Sequence, residues 1–216
     1  MRDTISPKDV ENVVRTGTTT VACIGKDGVV LAADKQSTAF YVSSRAERKI
    51  HKIGDHVGMT IAGSVGDAQY LVRILRAEAS LFKTMRGREI TPKSVSTLLA
   101  NVMHGMRYYP FMTMLLMGGY DPQNGAEIYS IDPIGGISTG EGYFGSGSGS
   151  PMALGIMEAE YKDDMSIDDC VKLCVKSIKS ARARDVYTGG WGLIVAVIDK
   201  NGYREVPEDE VKKLLE

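Results

Sequence analysis

A chain of 216 residues, 43% hydrophobic and 25% charged, is long enough to bury one sizeable core and is expected to form a single soluble globular domain. Its net charge of -1 argues against the basic footprint of a nucleic-acid binder, and its longest apolar run, Phe111 to Gly119, is strand-sized rather than membrane-spanning. Three cysteines, Cys23, Cys170 and Cys174, form no scaffold pattern and fit a reducing cytosol; Cys170 and Cys174, one helical turn apart, read as core thiols rather than metal ligands.

In chain order, residues 1–17 are polar, without periodicity and without the apolar stretch of a secretory signal; they read as an arm or prosegment. Thr18 to Ile24 and Val29 to Ala33 form two strands around a Lys26-Asp27-Gly28 turn. Gln36 to Ser44 is polar and loop-like, and Lys49 to Ile53 and Val57 to Ala62 are two further strands. The pattern breaks at Gly63 to Gly66. A helix then runs from Asp67, read as its cap, to Met85, carries Leu71, Ile74, Leu75 and Phe82 on one side, and stops at Gly87. A second helix opens at Thr91-Pro92 with a stripe of Val95, Leu98, Leu99, Val102, Met103 and Met106. Strands return over Phe111 to Tyr120, Glu127 to Asp132 and Ile137 to Phe144. Pro151 opens a helix to about Tyr161, and another follows from Ser166, capped with Asp169. Asp185 to Gly190 is a polar loop, Trp191 to Asp199 a strand, Asn201-Gly202 a hairpin turn, and a short acidic helix closes the chain. Hairpin-linked strands imply antiparallel sheets, and paired helices need a sheet face to cover. The fold class expected is α+β, an αββα four-layer sandwich.

Two generic motifs fail on context. Gly136-Ile137-Ser138-Thr139-Gly140 has the form of a serine-hydrolase elbow, yet His51, His56 and His104 all precede Ser138 and no strand-turn-helix surrounds it. Gly140-Glu141-Gly142-Tyr143-Phe144-Gly145 has the spacing of a dinucleotide fingerprint but no βαβ unit.

The chemistry concentrates at Arg15-Thr16-Gly17-Thr18-Thr19-Thr20-Val21. A threonine hydroxyl attacks a carbonyl only when a base takes its proton, and the α-amine of the same residue can serve once the preceding peptide bond is cut. That amine has an ordinary pKa of roughly 7.7–8, so a neighbouring cation that lowers it by about one unit makes the neutral base the major form at pH 7. Cleavage between Gly17 and Thr18 is therefore the expectation, Gly17 permitting the tight turn that self-attack requires. Lys49 is expected to supply the cation within reach of the Thr18 hydroxyl. Asp34, ending the paired strand, is expected to hold Lys49 and keep it charged. The bland alternative is an ordinary threonine-rich first strand with solvated charges at the strand ends. The run Gly145 to Ser150 offers N–H groups and hydroxyls in a compact turn, and Asp185 to Gly190 is the kind of loop that carries sites.

On Thr16 to Val21, Gly58 to Gln69, Gly147-Ser148-Gly149-Ser150-Pro151 and Arg184-Asp185 to Gly190, the chain resembles the β subunit of the proteasome, archaeal type, over essentially all of Thr18 to its end. The resemblance implies a threonine endopeptidase of the N-terminal-nucleophile fold. Thr18 is then the nucleophile, Asp34 and Lys49 its acid–lysine pair, and Ser148, Asp185 and Thr188 the groups around its amine. The Gly63 N–H is the oxyanion donor. Thr38, Gly63 and Val65 match backbone positions that pair with an extended peptide, and Ser37, Ile61 and Val65 line the pocket for the side chain before the cut, for which an apolar preference is expected. It further implies seven-membered β rings stacked with α-subunit rings, unfolded polypeptides as substrates, a separate ATP-dependent unfoldase, a cytoplasmic location and no cofactor. Three departures stand out: Thr188 replaces serine, Gln36 replaces arginine, and the segment between Ser37 and Lys49 is one residue short. A catalytically silent ring subunit and a small-molecule amidase of the same fold are the competing readings. A chain still carrying residues 1–17 has an amide at Thr18, so its site is expected to look assembled but inactive.

Overall fold

The computed structural model describes residues 17–38 and 41–215; the prosegment reading for residues 1–16 lies outside them. β1 (Thr20–Gly25), β2 (Gly28–Asp34), β10 (Tyr143–Ser146), β11 (Leu193–Asp199) and β12 (Gly202–Glu205) make one five-stranded sheet in the order β10-β1-β2-β11-β12. β5 (Ile50–Gly54), β6 (Val57–Gly63), β7 (Thr113–Asp121), β8 (Gly125–Ile131) and β9 (Ile137–Ser138) make the second, in sequence order. Every pairing is antiparallel.

Both faces of each sheet are covered, and the period of two along a strand assigns its residues to different layers. Val21 and Cys23 of β1, with Val30 and Ala32 of β2, pack under α3 (Ser150–Glu160) and α4 (Ile167–Arg182), where Met157, Cys170, Cys174 and Ile178 are buried. Ala22, Leu31 and Ala33, pointing the other way, meet Leu116 and Ile128 of the second sheet. Leu115 and Met117 turn outward to Leu71 and Leu75 of α1 (Val65–Arg86) and Leu99 and Met103 of α2 (Pro92–Gly105). Three apolar interfaces between four layers are the αββα sandwich. α5 (Glu208–Leu215) closes the chain by burying Val211. All three cysteines are free and buried, and no group of metal ligands occurs among the described residues. No described helix is long and apolar enough to cross a membrane.

Three boundaries differ from the sequence reading. The run 137–144 is not one strand: β9 pairs with β8, β10 with β1 in the other sheet, and Gly140 with φ 97° lies between them where the chain crosses over. α1 starts at Val65 rather than Asp67. Gly63 alone makes the break, and Ser64 is the cap, its side chain accepting from the Asp67 N–H at 3.4 Å. Finally, the loop-like 36–44 segment contains a small ribbon, β3 (Ser37–Thr38) paired with β4 (Val42–Ser44).

His51 of β5 carries a buried Nε2 with no hydrogen-bond partner among the described residues. Burial first, then the Arg76 and Arg48 charges, hold its pKa down at about 4 against an ordinary 6.5. The unfolded chain takes up this proton below pH 6.5, whereas the folded chain resists until about pH 4. Stability is therefore expected to fall through that window as pH drops, by up to about 3 kcal/mol from this residue. Urea midpoints at pH 7 and 4.5 test this: His51→Gln should show a smaller acid loss than the unaltered chain, and equal losses would refute the assignment.

Candidate active site

Thr18 precedes β1 and is 4% exposed, held between two loops that converge from distant parts of the chain. Its backbone N–H donates to Ser148 Oγ at 3.3 Å, and the Ser148 hydroxyl donates to Asp185 Oδ2 at 2.6 Å. The Thr188 hydroxyl donates to the same carboxylate oxygen at 2.5 Å, and Thr19 Oγ1 lies 2.6 Å from Thr188 Oγ1. One carboxylate thus collects the nitrogen of Thr18 and the hydroxyl of Thr19 through one intermediary each. The extra methyl of Thr188 is accommodated in a residue only 5% exposed.

The glycines of the Gly/Ser run are dictated by this approach. A Cβ on Gly147, whose φ is 92°, would lie 2.1 Å from the Thr18 carbonyl oxygen, and one on Gly149 would lie 2.1 Å from Thr19 Oγ1. The run therefore wraps the threonines at backbone distance instead of acting as a linker. At Gly17, too, the space is filled: a Cβ there would lie 1.6 Å from Tyr187 Cβ.

On the other side of Thr18, Asp34 ends β2 with no exposed surface. Its Oδ1 accepts from the Thr19 N–H at 3.0 Å and from Lys49 Nζ at 2.7 Å. Its Oδ2 accepts from the N–H groups of Gln36 at 3.1 Å and Gly189 at 2.9 Å. Four donors fix this carboxylate, which in turn fixes the Lys49 ammonium, 3% exposed as a residue. Burial lowers the Lys49 pKa below its usual value, while Asp34 works in the opposite direction. The expectation that Asp34 simply keeps Lys49 charged is therefore incomplete: desolvation is the larger influence. Gln36 spends its amide on Thr38 Oγ1 at 3.0 Å and the Val186 carbonyl at 3.3 Å.

Gly17, Thr18, Ser37, Glu47, Lys49, Ile61, Gly63 and Val65 line one small cleft. Thr18 and Lys49 share it without a hydrogen bond between their side chains, so the closer approach expected from the sequence is not made. Gly63 leaves β6 with φ 111°, and a Cβ there would lie 2.2 Å from the Met112 carbonyl oxygen. The conformation is open only to glycine. It turns the chain directly into α1, so the helix N-terminus, positive end of its dipole, meets the cleft at Val65. Thr38 lies outside the lining, its hydroxyl tied to Gln36. Ser138, by contrast, sits exposed on β9 with no helix following it, and the elbow geometry is absent.

Sequence reasoning missed Thr19, Gly189 and Glu47. Gly189 acts through its backbone alone, and Thr19 through its N–H to Asp34 as well as its hydroxyl to Thr188; a backbone contact carries no sequence signal. Glu47 was legible: two positions from Lys49 in extended chain, it falls on the same side.

The chain as a whole is similar to known proteins. A family model described as "Proteasome subunit" matches residues 14–198, a span containing every site residue named above. The chain is 45% identical over 212 residues to the proteasome subunit beta of Methanococcus maripaludis, covering 98% of this chain and 96% of that one. It is 47% identical over 200 residues to the proteasome subunit beta of Methanocaldococcus vulcanius, covering 92% and 89%, and 45% identical over 204 residues to that of Methanocaldococcus jannaschii, covering 94% and 91%. A four-layer sandwich, a buried threonine beside an aspartate–lysine pair and near full-length identity of this size lead to one assignment: the chain belongs to the proteasome subunit family.

Proposed function

We propose that this chain is the proteolytic β subunit of a proteasome core particle, a threonine endopeptidase armed by cutting its own Gly17–Thr18 bond. The supporting observation is the buried Asp34–Lys49 pair, 2.7 Å apart, opening onto the cleft that Thr18 lines. In the first step Thr18 Oγ1 attacks the Gly17 carbonyl carbon. The C–N bond breaks, the nitrogen takes a proton and becomes an amine, and the resulting ester is hydrolysed by water. Residues 1–17 leave with a new carboxylate.

The freed amine stays where the amide N–H was, beside Ser148 and within the Asp185–Thr188 network. In each later turnover it takes the Thr18 hydroxyl proton as the oxygen attacks a substrate carbonyl, then hands it to the departing amine. Water hydrolyses the acyl ester by the same route. The Gly63 N–H receives the developing oxyanion, a contact worth about 2.7–4 kcal/mol in acyl-transfer enzymes, with the N-terminus of α1 behind it. Thr38, Gly63 and Val65 hold the peptide as an added strand. Every step uses groups of this chain, and no cofactor enters the reading.

Placed in seven-membered β rings stacked with α-subunit rings in the cytoplasm, such sites face an inner chamber. Unfolded polypeptides delivered by an ATP-dependent unfoldase are then the substrates, and folded proteins are spared by exclusion. Intact mass and fluorogenic-peptide cleavage, measured on particles co-assembled with α subunits, test the reading. A chain beginning at Thr18 together with peptide cleavage is expected. Retention of Met1–Gly17 without cleavage would establish a structural ring subunit instead.

A further inference from the structure

The cleft beside Thr18 has apolar walls, Ile61 and Val65, and these alone suggest an apolar guest. Glu47 changes that balance. It is half-buried on the same cleft, near enough to Lys49 for its charge to act on the ammonium. Yet its carboxylate has no ion pair or side-chain hydrogen bond among the described residues, although three cations lie within two positions of it in sequence. Two of them are committed elsewhere, Arg48 to Glu205 at 2.5 Å and Lys49 to Asp34 at 2.7 Å, and the third, Arg45, is exposed and makes no ion pair among the described residues. Lys35, whose carbonyl accepts the Glu47 N–H, spends its own ammonium on Glu208 at 2.8 Å.

Because Lys49 and Asp34 neutralise each other, Glu47 leaves the described lining of the cleft with a negative charge and an acceptor without a donor. A leucine seated there would desolvate the carboxylate without pairing it, and an acidic side chain would be repelled. A lysine or arginine satisfies both features, its methylene stem along Ile61 and Val65 and its head on the carboxylate. We propose that the substrate side chain preceding the cut is basic, with Glu47 as its counter-ion. This rests on the reading of Thr18 as the nucleophile and replaces the apolar preference expected from Ile61 and Val65.

The test uses co-assembled particles and three fluorogenic peptides ending in Arg, Leu or Glu before the reporter. The arginine peptide should give the highest kcat/KM. Glu47→Gln should lower the Arg/Leu ratio of kcat/KM about ten- to hundredfold, the loss typical of one hydrogen bond to a charged group. Glu47→Lys should favour the glutamate peptide. The ratio matters because Glu47 also acts on Lys49, and an effect through Lys49 changes all three peptides alike. A uniform fall with an unchanged ratio, or wild-type particles that cleave the leucine peptide best, would overturn the proposal while leaving Thr18 as nucleophile. Particles that cleave none of the peptides would overturn both.

Discussion

Thr18→Ala is expected to give assembled particles that keep residues 1–17 and cleave peptides about 10⁶-fold more slowly, the scale of loss when a hydrolase loses its nucleophile. The substitution removes the oxygen needed for both self-cleavage and substrate attack, so the two losses must appear together. Its effect on folding should be small. The Thr18 side chain makes no hydrogen bond to a described residue, and the contacts that seat the residue, to Ser148 and Gly149, run through its backbone. Thr18→Ser supplies the contrast, since it keeps the hydroxyl and loses only the methyl that restricts its rotamer. That variant should be cut and active at reduced rate. Peptidase activity of Thr18→Ala within tenfold of the unaltered particle would remove the residue from the mechanism.

Asp34→Asn should damage both stability and activity, for a reason visible in its hydrogen bonds. Each carboxylate oxygen accepts from two donors: Thr19 N–H and Lys49 Nζ on one, Gln36 and Gly189 N–H on the other. An amide NH₂ in place of either oxygen faces donors with another donor, and Lys49 loses its counter-ion in a site that already lowers its proton affinity. Breaking a buried pair this way costs about 3–5 kcal/mol. The urea midpoint should fall accordingly, and peptide cleavage should drop by at least about 100-fold, the lower range for losing assisted proton transfer. The double variant Asp34→Asn/Lys49→Met separates the two effects, because it removes the unpaired ammonium while the amide oxygen still accepts from the Gln36 and Gly189 N–H groups, which an apolar side chain would orphan. It should recover much of the stability and none of the activity. Recovery of both would make the pair structural only.

Much of this architecture can be read without coordinates. Strand and helix runs, the cap at Thr91, the stop at Gly87 and the thiols buried in the core all follow from local pattern, because hydrophobic period and capping chemistry are properties of short segments. Where local pattern misleads, tertiary pairing is the reason. The strand-like run 137–144 looks continuous, yet it divides because each half finds hydrogen-bond partners in a different sheet. Asp67 looks like the cap of α1, but Gly63 turns early, and the Asp67 carboxylate instead accepts the Met112 N–H at 3.0 Å.

Read alone, the sequence determined the sandwich and the candidacy of Thr18, Asp34 and Lys49, since residue type, spacing and family resemblance carry those signals. What only the tertiary structure decided is how the parts meet. Gly189 and Ser148, far along the chain, reach the Asp34 carboxylate and the Thr18 nitrogen respectively. Burial outweighs Asp34 in setting the Lys49 proton affinity, and Glu47 lines the cleft without an ion pair among the described residues. These are matters of distance and solvent exclusion between segments more than a hundred residues apart or of charges competing in one small space, and no local pattern encodes which of several neighbours a buried charge will choose.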